Sequence, residues 1–409
     1  MSQDLPPVEV LINNLAMGGE GLGRLPDGRA VFIAFTLPGE RVLAAPYEEK
    51  RGYVRARLVE VLEASPDRIT PRCVHYGTCG GCHFQHMNYA AQLQAKQRIL
   101  ADQLARIGGI EHPPVNATIP SPSEWYYRNH VQFHLDPEGK LGYYTRDSSR
   151  VFALHECHLP EPLLNSTWPQ LDFEPTPDLE RIGLRLGVED DVMLILEGTQ
   201  APDLSLDLPL SAAYLGPNGL TVLVGDDNLA MEVGGRLFRV SAGSFFQVNT
   251  PMAEALVMFL LRHLPLSQMS TILDVYCGVG LFSAFLAPRA GQLVGIEQSE
   301  SACADFSVNL EQFDNVSLYQ GAAEQILPAL DIHPDIAVVD PPRAGLDRRA
   351  LDALVNLRPP VLAYVSCDPA TLARDARRLL SAGYQLQSST PFDLFPQSYH
   401  IESVSIFSA

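Results

Sequence analysis

The chain has 409 residues, 46% of them apolar and 19% charged, which predicts a packed protein of two or three domains and excludes wholesale disorder. Its 29 basic and 48 acidic residues leave a net charge of −19. No segment reaches the roughly 18 uninterrupted apolar residues of a membrane span, so no membrane association is expected. The opening MSQDLPPVEV lacks the basic-then-apolar layout of a secretory signal, and a cytoplasmic location is expected. So strong an acidity argues against a polyanionic partner until its distribution is considered. Residues 172–232 carry 13 acids against two Arg, whereas residues 1–171 are nearly balanced, with 18 acids and 16 bases. The acidic stretch is expected to face away from any nucleic acid or to belong to a solvated face of a central domain.

Between residues 8 and 63, the runs VEVLINNL, AVFIAF, TLPGERVLAAPY and YVRARLVEVLEA are broken by Gly and Pro, the spacing of a small antiparallel barrel. Arg55 and Arg57 fall on one face of its last strand. Cys73, Cys79 and Cys82 follow in CVHYGTCGGCHF, where glycines at 77, 80 and 81 let the loop wrap an ion. Cys157, in LHECHLP, can supply a fourth thiolate. Thiols clustered in a Gly-rich loop read as metal ligands. Zinc and an iron–sulfur cluster both accept four thiolates, and spacing does not choose between them. Leu93, Leu100, Leu104 and Ile107 form the apolar stripe of a helix over 88–108, which Gly108-Gly109 ends. Residues 119–240 read as strand-rich, with no catalytic pattern.

From Thr271 onward strands and helices alternate: TILDVYC, LFSAFLAP, QLVGIE, SACADFSVNLEQF, VSLYQ, AAEQILPAL, DIAVVD, a helix from Asp347, VLAYVSC, a helix from Pro369, and HIESVSIFS. This is a doubly wound α/β pattern, which binds ligands at the carboxyl ends of its strands. The first strand carries Asp274 into Cys277-Gly278-Val279-Gly280, where glycines let a ligand approach the backbone at a helix N-terminus. Glu297 ends the second strand, where an acid commonly holds ribose hydroxyls. Ala284 and Phe285 follow where a dinucleotide fingerprint would place its third glycine, so a nucleoside without a pyrophosphate fits better than NAD.

Asp340 ends the fourth strand ahead of Pro341-Pro342-Arg343, a stiff loop from which Arg343 can reach a substrate oxygen. Cys367 ends the fifth strand, followed by Asp368 as a helix N-cap and Pro369 as a first helical residue. A helix N-terminus can lower a thiol's pKa and make it a nucleophile, although a buried, inert Cys is the commoner case for such a residue in isolation. Glu402, on the last strand, is the candidate base partner of Cys367.

Taken in order, SFFQVN, LDVYCGVG, VGIEQS, VVDPPRAGL, SCDPATLARD and HIESV resemble the uracil-5 RNA methyltransferases that use S-adenosylmethionine, over about 170 C-terminal residues. The barrel resembles the TRAM domain that many members carry for RNA binding. Cys73, Cys79, Cys82 and Cys157 resemble the [4Fe–4S] ligand set of members acting on large-subunit ribosomal RNA. The resemblance implies three parts: a TRAM-like barrel at 1–63, a central α+β iron–sulfur domain at 64–87 and 119–240, and a Rossmann-like class I methyltransferase domain at 88–118 and 241–409. It implies cofactor contacts from Gln247, Tyr276, Glu297 and Asp340, and target-base contacts from Phe245 and Arg343. Cys367 would be the nucleophile and Glu402 the proton acceptor. The expected reaction is methylation of carbon 5 of a uridine, in 23S rRNA ahead of tRNA, by a monomer. A cytosine-5 RNA methyltransferase is the rival reading, but those enzymes usually carry a Cys where Asp340-Pro341-Pro342-Arg343 stands here.

Overall fold

In the computed structural model, which describes residues 6–205 and 207–409, alternating side chains close the N-terminal strands on themselves. Expectations for residues 1–5 and Leu206 lie outside the described residues. β1 (Val8–Leu15), β2 (Gly21–Arg24), β3 (Ala30–Ile33), β4 (Arg41–Glu49) and β5 (Tyr53–Glu63) form a closed barrel in the order β1-β2-β3-β5-β4. Every second residue points inward, so Val10, Ile12, Val31, Ile33, Val42 and Val54 fill it. The two arginines expected to share a face differ in partnership: Arg55 pairs with Glu20 at 3.0 Å, while Arg57 stands exposed.

Helix α1 (Tyr89–Arg106) starts where Asn88 accepts a hydrogen bond from the Ala91 amide at 2.9 Å, and it ends before Gly108-Gly109, as its stripe predicts. Leu100 and Leu104 lie buried in the core of the C-terminal sheet, and α1 packs against a helix and a strand of that unit.

β6 (His130–Leu135), β7 (Leu141–Tyr144), β8 (Val151–Ala153), α2 (Pro162–Thr167), β9 (Leu179–Leu186), β10 (Val192–Gly198), β11 (Ser211–Gly216) and β12 (Gly219–Val224) build a second unit. Its seven-stranded sheet has the order β12-β11-β10-β9-β6-β7-β8, and β10–β11 is its parallel pair. Phe133, Leu164, Trp168, Leu184 and Leu194 form its core. A ribbon of β13 (Asn228–Val233) and β14 (Arg236–Ser241) then leads to α3 (Thr250–His263).

The C-terminal sheet uses β15 (Thr271–Val275), α4 (Leu281–Leu286), β16 (Gln292–Glu297), α5 (Glu300–Asn309), β17 (Val316–Gln320), α6 (Ala323–Ile326), β18 (Ile336–Val339), α7 (Arg348–Leu357), β19 (Val361–Ser366), α8 (Pro369–Ser381), β20 (Gln385–Phe392) and β21 (Glu402–Ser408). Strand order is β17-β16-β15-β18-β19-β21-β20, parallel from β17 to β19 and antiparallel at β21 and β20. The parallel strands are continuous apolar runs because helices cover both faces. The chain builds outward from β15 on one side and from β18 on the other, which opens a crevice at their carboxyl ends. This is a class I methyltransferase fold beside a small N-terminal barrel. Among the described residues no helix is long and apolar enough to cross a membrane.

Candidate active site at the sheet edge

The cofactor-side residues follow the ends of β15 and β16. Glu297 is fixed by three backbone donors: Oε2 accepts from the Gly278 amide at 3.0 Å, and Oε1 from the Gln298 and Ser299 amides at 2.8 and 2.7 Å. Gly280 caps α4 at φ 91°, and a Cβ there would lie 2.3 Å from Leu310 Cδ1, so only glycine fits. Gly278, at φ 54°, has nothing within 4 Å of where a Cβ would stand, leaving open space against the backbone. Asp274 is fully buried; Ser283 Oγ donates to its Oδ2 at 2.6 Å, while its Oδ1 has no partner. Burial pushes its carboxyl up to about 7. Tyr276 takes φ 65° at the end of β15 and packs against the core beneath the loop. The buried Gln247 approaches from a different loop, its carbonyl accepting from Asn129 Nδ2 at 3.0 Å.

The reacting groups follow β18, β19 and the start of β21. Asp368 accepts from the Ala370 and Thr371 amides at 2.9 Å each, starting α8 directly after Cys367. In the antiparallel pair, Ser366 faces Ser403, so the next residues outward, Cys367 and Glu402, stand opposite each other. Glu402 is only 4% exposed. Burial, and then the charge of Asp340, drive its carboxyl well above the usual range, while Arg343 pulls it back. Asp340 is itself pushed up to about 7 by burial and by Asp274.

The Cys367 thiol moves the opposite way from the helix-terminus expectation. Burial, followed by Glu402 and Asp340, pushes it up to about 12, and Arg343 opposes them. Desolvation and two nearby carboxylates outweigh the helix end.

A cavity of about 910 Å³ opens beside this edge, and Phe245, Gln247, Arg343, His400 and all four clustered cysteines line it. Phe245 leaves 71% of its surface exposed. The walls carry five arginines (Arg128, Arg146, Arg181, Arg185 and Arg343) against Glu156 and Glu197, reversing locally the sign of the net charge. The acidic stretch therefore does not face away throughout: β9 supplies Arg181 and Arg185 to the wall, and β10 supplies Glu197. Burial raises the four thiols, Cys82 to about 12 and Cys157 to about 11, and neighbouring thiols add to the shift of Cys79, Cys82 and Cys157. Among the described residues, no three His, Cys, Asp or Glu side chains converge on the position of a single metal ion.

Residues 222–408 match the family described as tRNA (Uracil-5-)-methyltransferase, and residues 7–59 match the TRAM domain. An uncharacterized RNA methyltransferase of Thermosynechococcus vestitus is 34% identical, with 98% of this chain and 97% of the relative aligned. Another, from Streptomyces avermitilis, is 34% identical over 97% of each. The chain belongs to the uracil-5 RNA methyltransferase family. The crystal structure of Pyrococcus abyssi tRNA (uracil-54, C5)-methyltransferase with S-adenosyl-L-homocysteine shares the fold, at a TM-score of 0.75 and 24% identity over 98% of this chain and all of that one.

Sequence patterns missed the groups that hold the methyltransferase's Phe245 loop. Arg185 donates to the Ser241 and Ser244 carbonyls at 2.9 and 2.8 Å. Asp305 of α5 accepts from the Ser241 amide and hydroxyl and from the Ser244 hydroxyl, at 2.6–2.8 Å. A buried Arg in the second sheet and a buried Asp in α5 thus fix one short loop between them. A charged residue set directly between apolar neighbours, Arg185 between Leu184 and Leu186 and Asp305 between Ala304 and Phe306, was the one available signal.

Proposed function

We propose that this methyltransferase modifies carbon 5 of a uridine in 23S rRNA through a transient bond between Cys367 and carbon 6 of the base. The observation that carries the reading is that Cys367 directly follows and Glu402 directly precedes the paired Ser366 and Ser403, where β19 ends and β21 begins, with Asp340 and Arg343 close enough to act on their charges. S-adenosylmethionine, when bound, supplies an electrophilic methyl sulfonium. The open face of Gly278, the unpartnered Asp274 oxygen and the preset Glu297 carboxylate suit its nucleoside and amino-acid groups, with Gln247, Tyr276 and Asp340 completing the contacts.

The target base must leave its stack to reach this edge, and the exposed Phe245 ring is placed to stack on it. The Cys367 proton leaves to solvent, the guanidinium of Arg343 offsets the charge of the resulting thiolate, and Glu402 is a free carboxylate when the adduct forms. Addition of the thiolate to carbon 6 makes carbon 5 nucleophilic enough to take the methyl group. Glu402 then removes the carbon-5 proton; that electron pair restores the 5,6 double bond and expels the Cys367 thiolate. A carboxyl raised well above its ordinary range suits a group that must hold a proton near neutral pH.

Four thiols raised by burial around one cavity, three of them raised further by neighbouring thiols, form a donor set that a cationic core would neutralise. A lone tetrahedral zinc, with Zn–S near 2.3 Å, needs sulfurs about 3.8 Å apart. The described residues hold no such single-ion site, and a [4Fe–4S] cluster, which spreads its ligands more widely, is the group we assign to Cys73, Cys79, Cys82 and Cys157. We assign it a structural role, since no step above moves electrons. The TRAM barrel is the second RNA contact, and the enzyme acts as a cytoplasmic monomer on this reading.

The test incubates anaerobically purified protein and S-adenosylmethionine with unmodified 23S rRNA or tRNA transcripts and analyses nucleosides by mass spectrometry. 5-Methyluridine in 23S rRNA is expected. Its appearance in tRNA alone selects the second reading, which the family description favours. Methylated cytidine would overturn the uridine assignment.

A further inference from the structure

We infer that Gln397 is a positioning residue that ties the loop carrying Glu402 to α1 and to the segment after Cys82, so that its loss slows release of methylated RNA more than methyl transfer. The inference rests on the reading of Glu402 as the base.

Residues 393–401 join β20 to β21, and Glu402 is the first residue of β21, paired with Phe392. The conformation of this loop therefore decides where the carboxylate starts. Within it Gln397 is 1% exposed and holds φ 69°, a left-handed conformation that non-glycine residues avoid. Such strain persists only where the surroundings over-determine it.

Here they do. The Gln397 carbonyl accepts from the His83 and Phe84 amides, at 2.8 and 3.0 Å, and these two residues directly follow Cys82. Its side chain and amide form a reciprocal pair with Gln92 of α1: Gln92 Nε2 donates to Gln397 Oε1 at 3.0 Å, and the Gln397 amide donates to Gln92 Oε1 at 3.1 Å. Gln92 Nε2 also reaches the Phe84 and Met87 carbonyls. One buried amide thus joins helix, cysteine segment and base-carrying loop.

The rest of the loop is stiff enough to pass this placement on. Lys96 donates to Asp393 at 2.5 Å and to the Phe395 carbonyl at 3.0 Å, and Tyr127 donates to the Pro396 carbonyl at 3.0 Å. Ser398 Oγ donates to the Phe395 carbonyl at 2.9 Å and accepts from the His400 amide at 3.3 Å, two residues before Glu402. Gln397 is not part of the cavity wall, so it acts through the loop and not on the substrate. Proton removal by Glu402 is the step that needs this loop; addition of Cys367 belongs to β19 and α8.

The test uses Gln397→Gly in the full-length protein. Glycine accepts φ 69° without strain and keeps the carbonyl bonds to His83 and Phe84 and the amide bond to Gln92 Oε1, while the bond from Gln92 Nε2 to the side chain is lost. Rapid-quench reactions with methyl-labelled cofactor and substrate RNA measure methyl transfer, covalent protein–RNA adduct and free methylated RNA. Release should slow by about 10- to 100-fold, with methyl transfer within about twofold of wild type and adduct accumulating. Gln92→Ala should reproduce this, and the double variant should add nothing further. Release at the wild-type rate, or transfer and release falling in parallel, would overturn the assignment. Glu402→Gln serves as the control. If it accumulates adduct and Gln397→Gly does not, Gln397 alone is wrong; if neither does, the base reading falls and takes this inference with it.

Discussion

Glu297 and Glu402 are both strand-end carboxylates on the same edge of one sheet, yet their surroundings differ in kind. Glu297 sits on β16, where three backbone amides fix both its oxygens. Glu402 sits on β21 beside Cys367 and Asp340, with burial driving its proton on and Arg343 the opposing positive charge. Backbone donors make a rigid acceptor for neutral hydroxyls, whereas buried like charges make a group whose proton is poised to move. On the proposed reading, the β15–β16 half of the crevice holds and the β18–β19–β21 half reacts. Substitutions on the two halves should therefore fail in different ways.

The sharpest break in that comparison is Cys367→Ala, which should lower methyl transfer by about 10⁴-fold or more while leaving cofactor binding by calorimetry intact. Loss of cofactor binding would place Cys367 on the wrong half. Next comes pH. A thiol pushed up to about 12 gains thiolate about tenfold per unit as pH rises, so kcat/KM for RNA should climb roughly 100-fold from pH 7 to 9. A plateau beginning below pH 8 would mean that the free enzyme already holds a thiolate.

On the other half, Glu297→Ala should raise the Kd for S-adenosylmethionine by about 10- to 100-fold. At saturating cofactor it should leave the rate of the bound complex within a few-fold. The smallest effect belongs to Asp274→Asn. The wild-type carboxyl, with a folded pKa of about 7 against an ordinary 3.8, contributes stability fully below pH 3.8 and loses it as pH rises through about 7. The amide cannot ionise, so the cofactor-free variant should melt a few degrees above wild type at pH 8.5 and above it by roughly a third of that difference at pH 5. The reverse order would show that a partner for Asp274 has been overlooked.

Much of both halves was legible in the sequence because a doubly wound sheet puts its chemistry at or directly after apolar strand runs. Asp274, Glu297, Asp340 and Cys367 each stand at or just after such a run, and Glu402 opens the one that returns. The barrel was legible for a similar reason, its period-two runs being cut by Gly and Pro, but it is not antiparallel throughout as expected: β3 and β5 pair parallel. The direction of the Cys367 shift was not, because the α8 terminus is a local feature while burial and the Glu402 charge arise only when β19 meets β21. Gln397 with Gln92, 305 positions apart, and Arg185 with the Ser241 carbonyl, 56 apart, were invisible for the same reason. No periodicity marks a polar side chain whose partner is that distant. The second sheet read only as strand-rich, and its parallel β10–β11 pair within an otherwise antiparallel order has no local signature.

The most direct test of the division between holding and reacting is the mass of Glu402→Gln protein after incubation with S-adenosylmethionine and 23S rRNA fragments, digested to nucleotides and analysed under denaturing conditions. The account predicts a peptide containing Cys367 that carries a methylated uridine nucleotide, because transfer is complete and release is blocked. Unmodified Cys367 alongside free 5-methyluridine at the wild-type rate would contradict it.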